Sequence, residues 1–397
     1  MSASPLYDVI VVGSGPSGST AALELARRGW RVLMLERDRL PRVKTCAGGL
    51  PRKSVAMLRV DVSDVYEAAI RRGLVTYRAE QPIALDFERP AGWTVMRARF
   101  DYKLAQAAVG AGAELVERGR VREVKLSDDR VTVTTEGGTF QGRYLVGADG
   151  VNSSVARAVG LMADRRSAIA FEAELPVSDS LLTQYRDTLV FDFGLVPQGY
   201  AWIFAKSDHL SVGAAVFHER GDRAIRQHVI DYAVRAGLMH PGQPLDCPCK
   251  GHHIPLGGGY RPLHRDRVLL VGDAAGLADP FLGEGIYYAI RSGRLAGDTL
   301  HRVLSGEDAL ADYSAAVHAE LVSEFAYAQK FADWCYRFPR AAHWMFAHYP
   351  KLRGALSRMI EGDGTWQELW HDGVRTLLPF LPREKALPPA PLARVEQ

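Results

Sequence analysis

The segment that most limits what this chain can become lies near its N-terminus. Residues 9–12 are a short, β-branched apolar run, the pattern of a buried parallel strand. They break into Gly13-Ser14-Gly15-Pro16-Ser17-Gly18, after which residues 19–28 read as a helix rich in Ala and Leu. A second apolar strand over residues 31–35 ends at Glu36, eighteen residues beyond Gly18. Each glycine has a task. Gly13 permits the tight turn, Gly15 lets backbone N–H groups approach a pyrophosphate, and Gly18 lets helix and strand pack closely. The helix N-terminus offers partial positive charge to phosphates. Glu36 is placed to bind a ribose hydroxyl pair and disfavours a 2′-phosphate. Arg37 is the neighbouring candidate contact. Strand, turn, helix, strand and acid together predict a βαβ unit that holds a dinucleotide.

The other half of that site is expected far downstream. Residues 267–271 form another apolar strand, followed by Gly272-Asp273-Ala274-Ala275-Gly276. Next come Asp279-Pro280-Phe281-Leu282-Gly283-Glu284-Gly285 and a helix from Ile286. This pattern resembles the second fingerprint of FAD-dependent enzymes of the glutathione-reductase-like class. The resemblance implies FAD as cofactor, with Asp273 on the ribityl chain and Gly283, Glu284 and Gly285 under the flavin ring. The following helix N-terminus would face the N1–C2 edge, where its dipole favours accepting a hydride. Arg97-x-x-Phe100-Asp101-x-x-Leu104 resembles the helix start of these flavoproteins, which implies that Arg97 contacts the cofactor. Residues 121–140 alternate as a small meander with turns at 128–129 and 137–138. They lead through a strand at 144–146 into Gly147-Ala148-Asp149-Gly150. That element is similar to one in flavin hydroxylases and implies Asp149 near the FAD pyrophosphate. The expected fold class is α/β (α+β overall). A Rossmann-like FAD-binding domain, residues 1–60, 95–165 and 265–305, is interleaved with an antiparallel-sheet substrate domain, residues 61–94 and 166–264. A helical C-terminal region, residues 306–397, follows.

The substrate side rests on other residues. Lys44-Thr45-Cys46-Ala47-Gly48-Gly49 falls in the loop after the second strand, which in this fold returns toward the flavin. Lys44, Gly48 and Gly49 are candidate cofactor contacts, because consecutive glycines let backbone approach a flat ring. Cys46 is either a small buried hydrophobe or a polar group lining the reacting edge. Residues 189–193, 200–204 and 210–217 then read as an antiparallel meander. With a period of two, Tyr200, Trp202 and Phe204 share a face, as do Phe191 and Phe193. Such a stripe is ordinarily sheet core, and otherwise an aromatic floor for a long apolar ligand.

Pro197-x-x-Tyr200-x-Trp202-x-Phe204, the 44–49 loop and both fingerprints resemble the geranylgeranyl reductases over nearly the whole chain. Two positions depart from the family pattern: Ala205 where the aromatic motif ends in Pro, and Ala47 where the loop has Gly. The resemblance implies saturation of C=C bonds in a polyprenyl chain, on a lipid or small molecule, with NADPH or another reductant as electron donor. An isolated trisubstituted alkene is unpolarised. The expected route is therefore protonation toward a tertiary cation completed by hydride, with Cys46, Tyr200 and Trp202 as catalytic candidates: Cys46, Tyr200 or a bound water carries the proton, and the faces of Trp202 and Tyr200 are worth ~1–2 kcal/mol to the cation. The rival reading is a flavin monooxygenase or halogenase, since Gly199-Tyr200-x-Trp202 also loosely resembles a halogenase motif.

Composition excludes several classes. The 397 residues are 47% hydrophobic and 24% charged, with 49 basic against 46 acidic side chains and a net charge of +3. That is too balanced for a nucleic-acid binder working through a basic face. No run approaches the ~18 apolar residues of a membrane span, no signal peptide is evident, and the 4 cysteines suit a reducing, cytoplasmic compartment. Cys247, Cys249, His252 and His253 lie too close in sequence to wrap one tetrahedral ion. No metal is expected there, only a loop, with the histidines meeting an anionic head group as the alternative. Leu321, Phe325, Ala328, Ala332 and Cys335 recur at helical spacing, and Pro339 ends the run. Further helix is expected around Trp344, Met345 and Phe346, then Trp366 and Trp370, before a Pro-rich end at 381–394. This region reads as a helical cap, with peripheral membrane contact the alternative. The oligomeric state stays open.

Overall fold

The computed structural model describes residues 6–162, 164, 166–217 and 224–377; the Pro-rich end at 381–394 lies outside them. The apolar N-terminal run becomes the strand Leu6–Val12, and Pro16 rather than Ser19 opens the helix Pro16–Ala26. A proline suits that first position because its missing N–H has no partner there in any case. Leu6–Val12 lies in parallel between Gly138–Gly147 and Val32–Leu35. Glu114–Val116 and Val268–Leu270 extend the parallel layer on either side. The meander Val121–Leu126, Val131–Thr135 and Gly138–Gly147 grows from it in antiparallel register. Val9, Ile10, Val11, Leu33, Met34, Leu145, Val146 and Leu269 are fully buried, as expected of strands covered on both faces.

The second layer is a seven-stranded sheet with Cys249–Pro255 at one edge and Glu80–Asp86 at the other. Its centre is Ser167–Leu175, Leu210–Val216, Gly199–Ala205 and Thr188–Phe193, all antiparallel. The sheet departs from the expected all-antiparallel pattern once, where Thr188–Phe193 pairs in parallel with Arg72–Tyr77. Parallel neighbours need a long crossover, and here the intervening chain first builds much of the parallel layer. A further departure is the three-stranded sheet Gly49–Pro51, Gly92–Val95 and Tyr66–Ile70. The segment 249–255, expected as loop, is an edge strand paired with Ser167–Leu175. Short sequences with polar, outward side chains carry little strand signal, and the partner supplies the order.

The C-terminal helices Ser323–Arg337, Pro339–His348, Pro350–Glu361 and Trp366–Leu377 follow the long helix Ile286–Ser305. Phe338 breaks the first from the second, and Pro339 opens the next. Their apolar faces bury Phe331, Ala332, Cys335, Phe346, Leu352 and Trp366 against the aromatic strands. Trp344 and Phe338 stay about half exposed, at 52% and 50%. No helix among the described residues is long and apolar enough to cross a membrane.

Candidate functional site

One cleft of about 710 Å³ runs from the N-terminal glycine turn to the aromatic strands. At its first end the geometry is that of a nucleotide cradle. A Cβ on Gly13, whose φ is +102°, would lie 2.3 Å from the Ala148 carbonyl oxygen, and one on Gly18 would lie 1.9 Å from the Gly13 oxygen. Only glycine fits either place. Gly15, by contrast, faces the cleft with no atom nearer than Arg42 Nη2 at 3.7 Å. No side chain caps the helix that starts there, so its first N–H groups are available to phosphate oxygens. Glu36 is buried at the strand end, accepting from Ser14 N and Oγ at 3.2 and 2.6 Å and from Asp38 N at 3.1 Å. Burial alone would raise its carboxyl, but the Arg42 guanidinium at 3.3 Å and these bonds hold it below the ordinary range. Arg42 also reaches Asp101 at 3.2 Å. Asp101 in turn accepts two bonds from Arg97, at 2.8 and 2.9 Å. Arg97 therefore lines the cleft as half of a buried ion pair. Arg37 sits exposed at the rim and donates to Asp38. Asp149 accepts from Ser153 Oγ and from Ser154 N and Oγ, so its carboxylate closes its own loop while the residue borders the cleft.

The downstream half meets the first as its spacing suggests. Asp273 borders the cleft, 4.0 Å from Lys44 Nζ, and the helix Ile286–Ser305 begins at Gly285 without a side-chain cap. Gly283, at φ +67°, turns the chain against Ile254. Glu284 pairs with Lys53 at 3.1 Å, and its Oε1 is buried with no hydrogen-bond partner among the described residues. Asp279 Oδ1 accepts from Phe281 N and Leu282 N at 2.9 and 2.6 Å, while its Oδ2 has no hydrogen-bond partner among the described residues. Burial pushes the Asp279 carboxyl up to about 7. Close-packed glycines, two uncapped helix N-termini and an acid at the second strand end fit FAD. Gly13, Gly15, Glu36, Arg42, Asp273 and Gly285 are the residues that would hold it.

At the far end Lys44 Nζ stands 2.6 Å from His252 Nε2. Burial, then the Lys44 charge, lowers His252 to about 4, so the ring is neutral and accepts from the lysine. Cys46 borders the cleft, its half-buried side chain packs against the cluster of Leu50, Val95, Phe100 and Ile286, and the Gly48 N–H points to its sulfur at 3.4 Å. The glycine pair borders the cleft and is crowded by protein neighbours as well. A Cβ on Gly48 would lie 2.0 Å from the Val95 oxygen, and one on Gly49 would lie 3.0 Å from the Phe204 ring. Protein neighbours already demand these glycines. Leu189, Phe191, Tyr200, Trp202 and Phe204 form one wall, and Met359 and Ile360 of the C-terminal helices close over it. Phe193 leaves this wall and stacks on Phe281 instead, 6.0 Å between centroids, as core. The aromatic stripe thus serves both roles that its pattern allows. Tyr200 donates its hydroxyl to the Leu282 carbonyl, and burial drives its pKa upward.

Sequence reasoning missed Arg42, Glu172 and Ser211 as cleft or near-cleft residues, whereas His252, considered for an anionic head group, does border the cleft. Arg42 carries no periodic signal in its loop. Glu172 had one: it shares the inward face of a strand with the small residues Ala168 and Ala170. Among the described residues no His, Cys, Asp and Glu cluster suits a metal ion.

Comparison with known proteins agrees with this geometry. A family model described as an FAD binding domain matches residues 6–193. An uncharacterised protein of Methanosarcina barkeri is 33% identical, over 74% of this chain and 74% of its own length. Digeranylgeranylglycerophospholipid reductase 1 of Methanopyrus kandleri is 30% identical, over 77% of this chain and 84% of its own. Among solved structures, a geranylgeranyl bacteriochlorophyll reductase-like protein of Thermoplasma acidophilum superposes with TM-score 0.78 at 22% identity, covering 94% of this chain and 97% of that one. The flavin-dependent brominase Bmp2 reaches TM-score 0.71 at 18% identity, covering 94% and 99%. At those identities both structures speak to the fold alone, whereas the sequence relatives are closer. The chain is an FAD-dependent oxidoreductase and belongs to the geranylgeranyl reductase family.

Proposed function

We propose that the protein saturates isolated C=C bonds in a geranylgeranyl-type polyprenyl chain, with NADPH or another donor as the source of electrons. The observation that carries this reading is the continuity of one cleft, which joins a dinucleotide cradle to an apolar end walled by Leu189, Phe191, Tyr200, Trp202 and Phe204. Reductase relatives of similar length support the substrate class. Bound FAD, once reduced, supplies the hydride. The chain's own residues supply the rest. An unpolarised alkene must first gain a proton, and Tyr200 holds its own proton tightly against the Leu282 carbonyl. That favours the Cys46 thiol as the group that presents a proton to the alkene. The faces of Trp202 and Tyr200 stabilise a tertiary cation by ~1–2 kcal/mol in a dry site. Met359 and Ile360 help keep water from that end.

Oxygen dependence separates this reading from a monooxygenase or halogenase built on the same fold. FAD-loaded protein, reduced anaerobically and mixed with geranylgeranyl acceptors, is expected to be reoxidised without oxygen. Reoxidation by oxygen alone, across a panel of prenyl acceptors, would remove the proposal.

A further inference from the structure

Beside the aromatic wall, on the same face of the sheet, buried polar groups from separate elements converge on one carboxylate at the cleft. Glu172 is 6% exposed. Its Oε2 accepts from the Cys46 backbone N–H at 2.7 Å, and its Oε1 accepts from Ser211 Oγ at 2.6 Å. Ser211 Oγ in turn accepts from Trp202 Nε1 at 3.3 Å. The sheet register explains how the indole reaches this far. Phe191, Trp202, Gly213 and Glu172 lie side by side on four adjacent strands. With no side chain on Gly213, the indole lies across its strand: a Cβ there would sit 2.1 Å from Trp202 Cζ2. On the other side of the loop, the buried Lys206 donates to the Ala47 carbonyl at 2.7 Å and the Val95 carbonyl at 3.0 Å. The Cys46-Ala47 segment is thus held at its N–H by Glu172 and at its carbonyl by Lys206. Burial raises the Glu172 carboxyl and lowers the Lys206 amine, and each offsets the other's desolvation.

We propose that Glu172 is a positioning residue, whose one carboxylate ties the Cys46 loop to the Trp202 indole and sets thiol and indole in a single register across the cleft. This rests on the prenyl-reductase reading for its consequence but not for its geometry. A carboxylate suits the place because both oxygens accept, whereas an amide accepts on one side only. The side-chain bonds of Glu172 go to Cys46 and Ser211 and to none of the residues that would hold the cofactor, so Glu172 is expected to act on the acceptor half-reaction more than on flavin loading.

The test compares FAD-loaded wild type with Glu172→Ala, Glu172→Gln and Ser211→Ala. Two quantities are read: turnover of a geranylgeranyl acceptor per bound flavin, and the rate at which iodoacetamide alkylates Cys46, located by peptide mass. Glu172→Ala is expected to lower kcat by about tenfold or more, the order set by losing hydrogen bonds to a charged group, with a smaller change in KM. It is also expected to change the Cys46 alkylation rate severalfold. Glu172→Gln, which keeps an acceptor for the Cys46 N–H, should restore the alkylation rate. Ser211→Ala cuts the link from the carboxylate to the indole but keeps the Glu172 bond to the Cys46 N–H; it should lower kcat and leave alkylation near the wild-type rate. If Glu172→Ala does not fold, Glu172→Asp decides: its shorter side chain cannot reach both the Cys46 N–H and Ser211 Oγ, so it should lower kcat or shift the alkylation rate, and wild-type values of both would overturn the proposal. Wild-type alkylation and kcat per flavin in Glu172→Ala would overturn the proposal. So would a loss confined to stability or flavin content. A wild type that reduces no prenyl acceptor would sink the function reading alone, because the alkylation comparison still reads the Glu172 tether.

Discussion

Gly213 offers a direct probe of how the aromatic wall is built. A methyl group added there would meet three indole atoms of Trp202, at 2.1, 2.5 and 2.6 Å. To restore ordinary contact the ring must retreat from 2.1 to 3.4 Å, roughly 1.3 Å. It has little room behind it, since Tyr200 lies 5.9 Å away between centroids and Phe191 is the cross-strand neighbour. Retreat also separates Nε1 from Ser211 Oγ, already 3.3 Å apart. Overpacking of this kind costs ~1–3 kcal/mol, and the lost hydrogen bond adds about 1 kcal/mol. Gly213→Ala is therefore expected to lose ~2–4 kcal/mol in urea denaturation of the FAD-loaded protein and to raise KM for a prenyl acceptor. A variant with unchanged midpoint and unchanged KM would refute the placement of the indole over Gly213.

Four further outcomes follow from the same geometry. Gly18→Ala places a Cβ 1.9 Å from the Gly13 oxygen; the variant is expected to purify without yellow colour, measured as flavin absorbance per chain. Arg42→Ala frees Glu36 and Asp101 together; FAD affinity in a fluorescence titration should fall about tenfold or more, the scale of hydrogen bonds to charged groups at ~1.5–3 kcal/mol. Asp279, raised by burial to about 7, binds its proton more tightly folded than unfolded, so its contribution to stability falls as pH rises from its unfolded value of about 4 and levels off above about 7. Asp279→Asn should then gain stability relative to wild type between about pH 5 and pH 8, read in denaturant titrations; an identical gap at both would count against the burial of that carboxyl. In Lys44→Met, removal of the neighbouring charge should let His252 rise from about 4, followed by its ring proton shifts in NMR.

Much of the fold was legible in the chain because its decisive signals are local. The glycine turn, the helix it opens and the acid at the second strand end are contiguous, and each needs only its neighbours to make sense. The aromatic strands and the helical stripe of Phe325, Ala328, Ala332 and Cys335 were equally readable from period. What escaped depends on lateral pairing. The parallel contact of Thr188–Phe193 with Arg72–Tyr77 joins strands more than a hundred residues apart, and no turn chemistry announces it. The edge strand Cys249–Pro255 owes its order to the backbone of Ser167–Leu175, not to its own polar side chains. The Glu172 tether needs the register of several strands at once, so a lone acid in an Ala-rich strand gave no more than a hint. The glycines at 48 and 49 stand out in the sequence, but their crowding by the Val95 carbonyl and the Phe204 ring shows only in the fold. Function was legible where residues adjacent in sequence act together, and hidden where the sheet brings distant ones together.

The central claim is tested most directly by the mass of the product. Anaerobically reduced, FAD-loaded protein is given a geranylgeranyl acceptor, and the organic phase is analysed by mass spectrometry. The account predicts a gain of two hydrogens for each double bond consumed, with no oxygen present and one flavin reoxidised per event. Unchanged acceptor in the absence of oxygen, with an added oxygen or halogen atom once oxygen and halide are supplied, would contradict it.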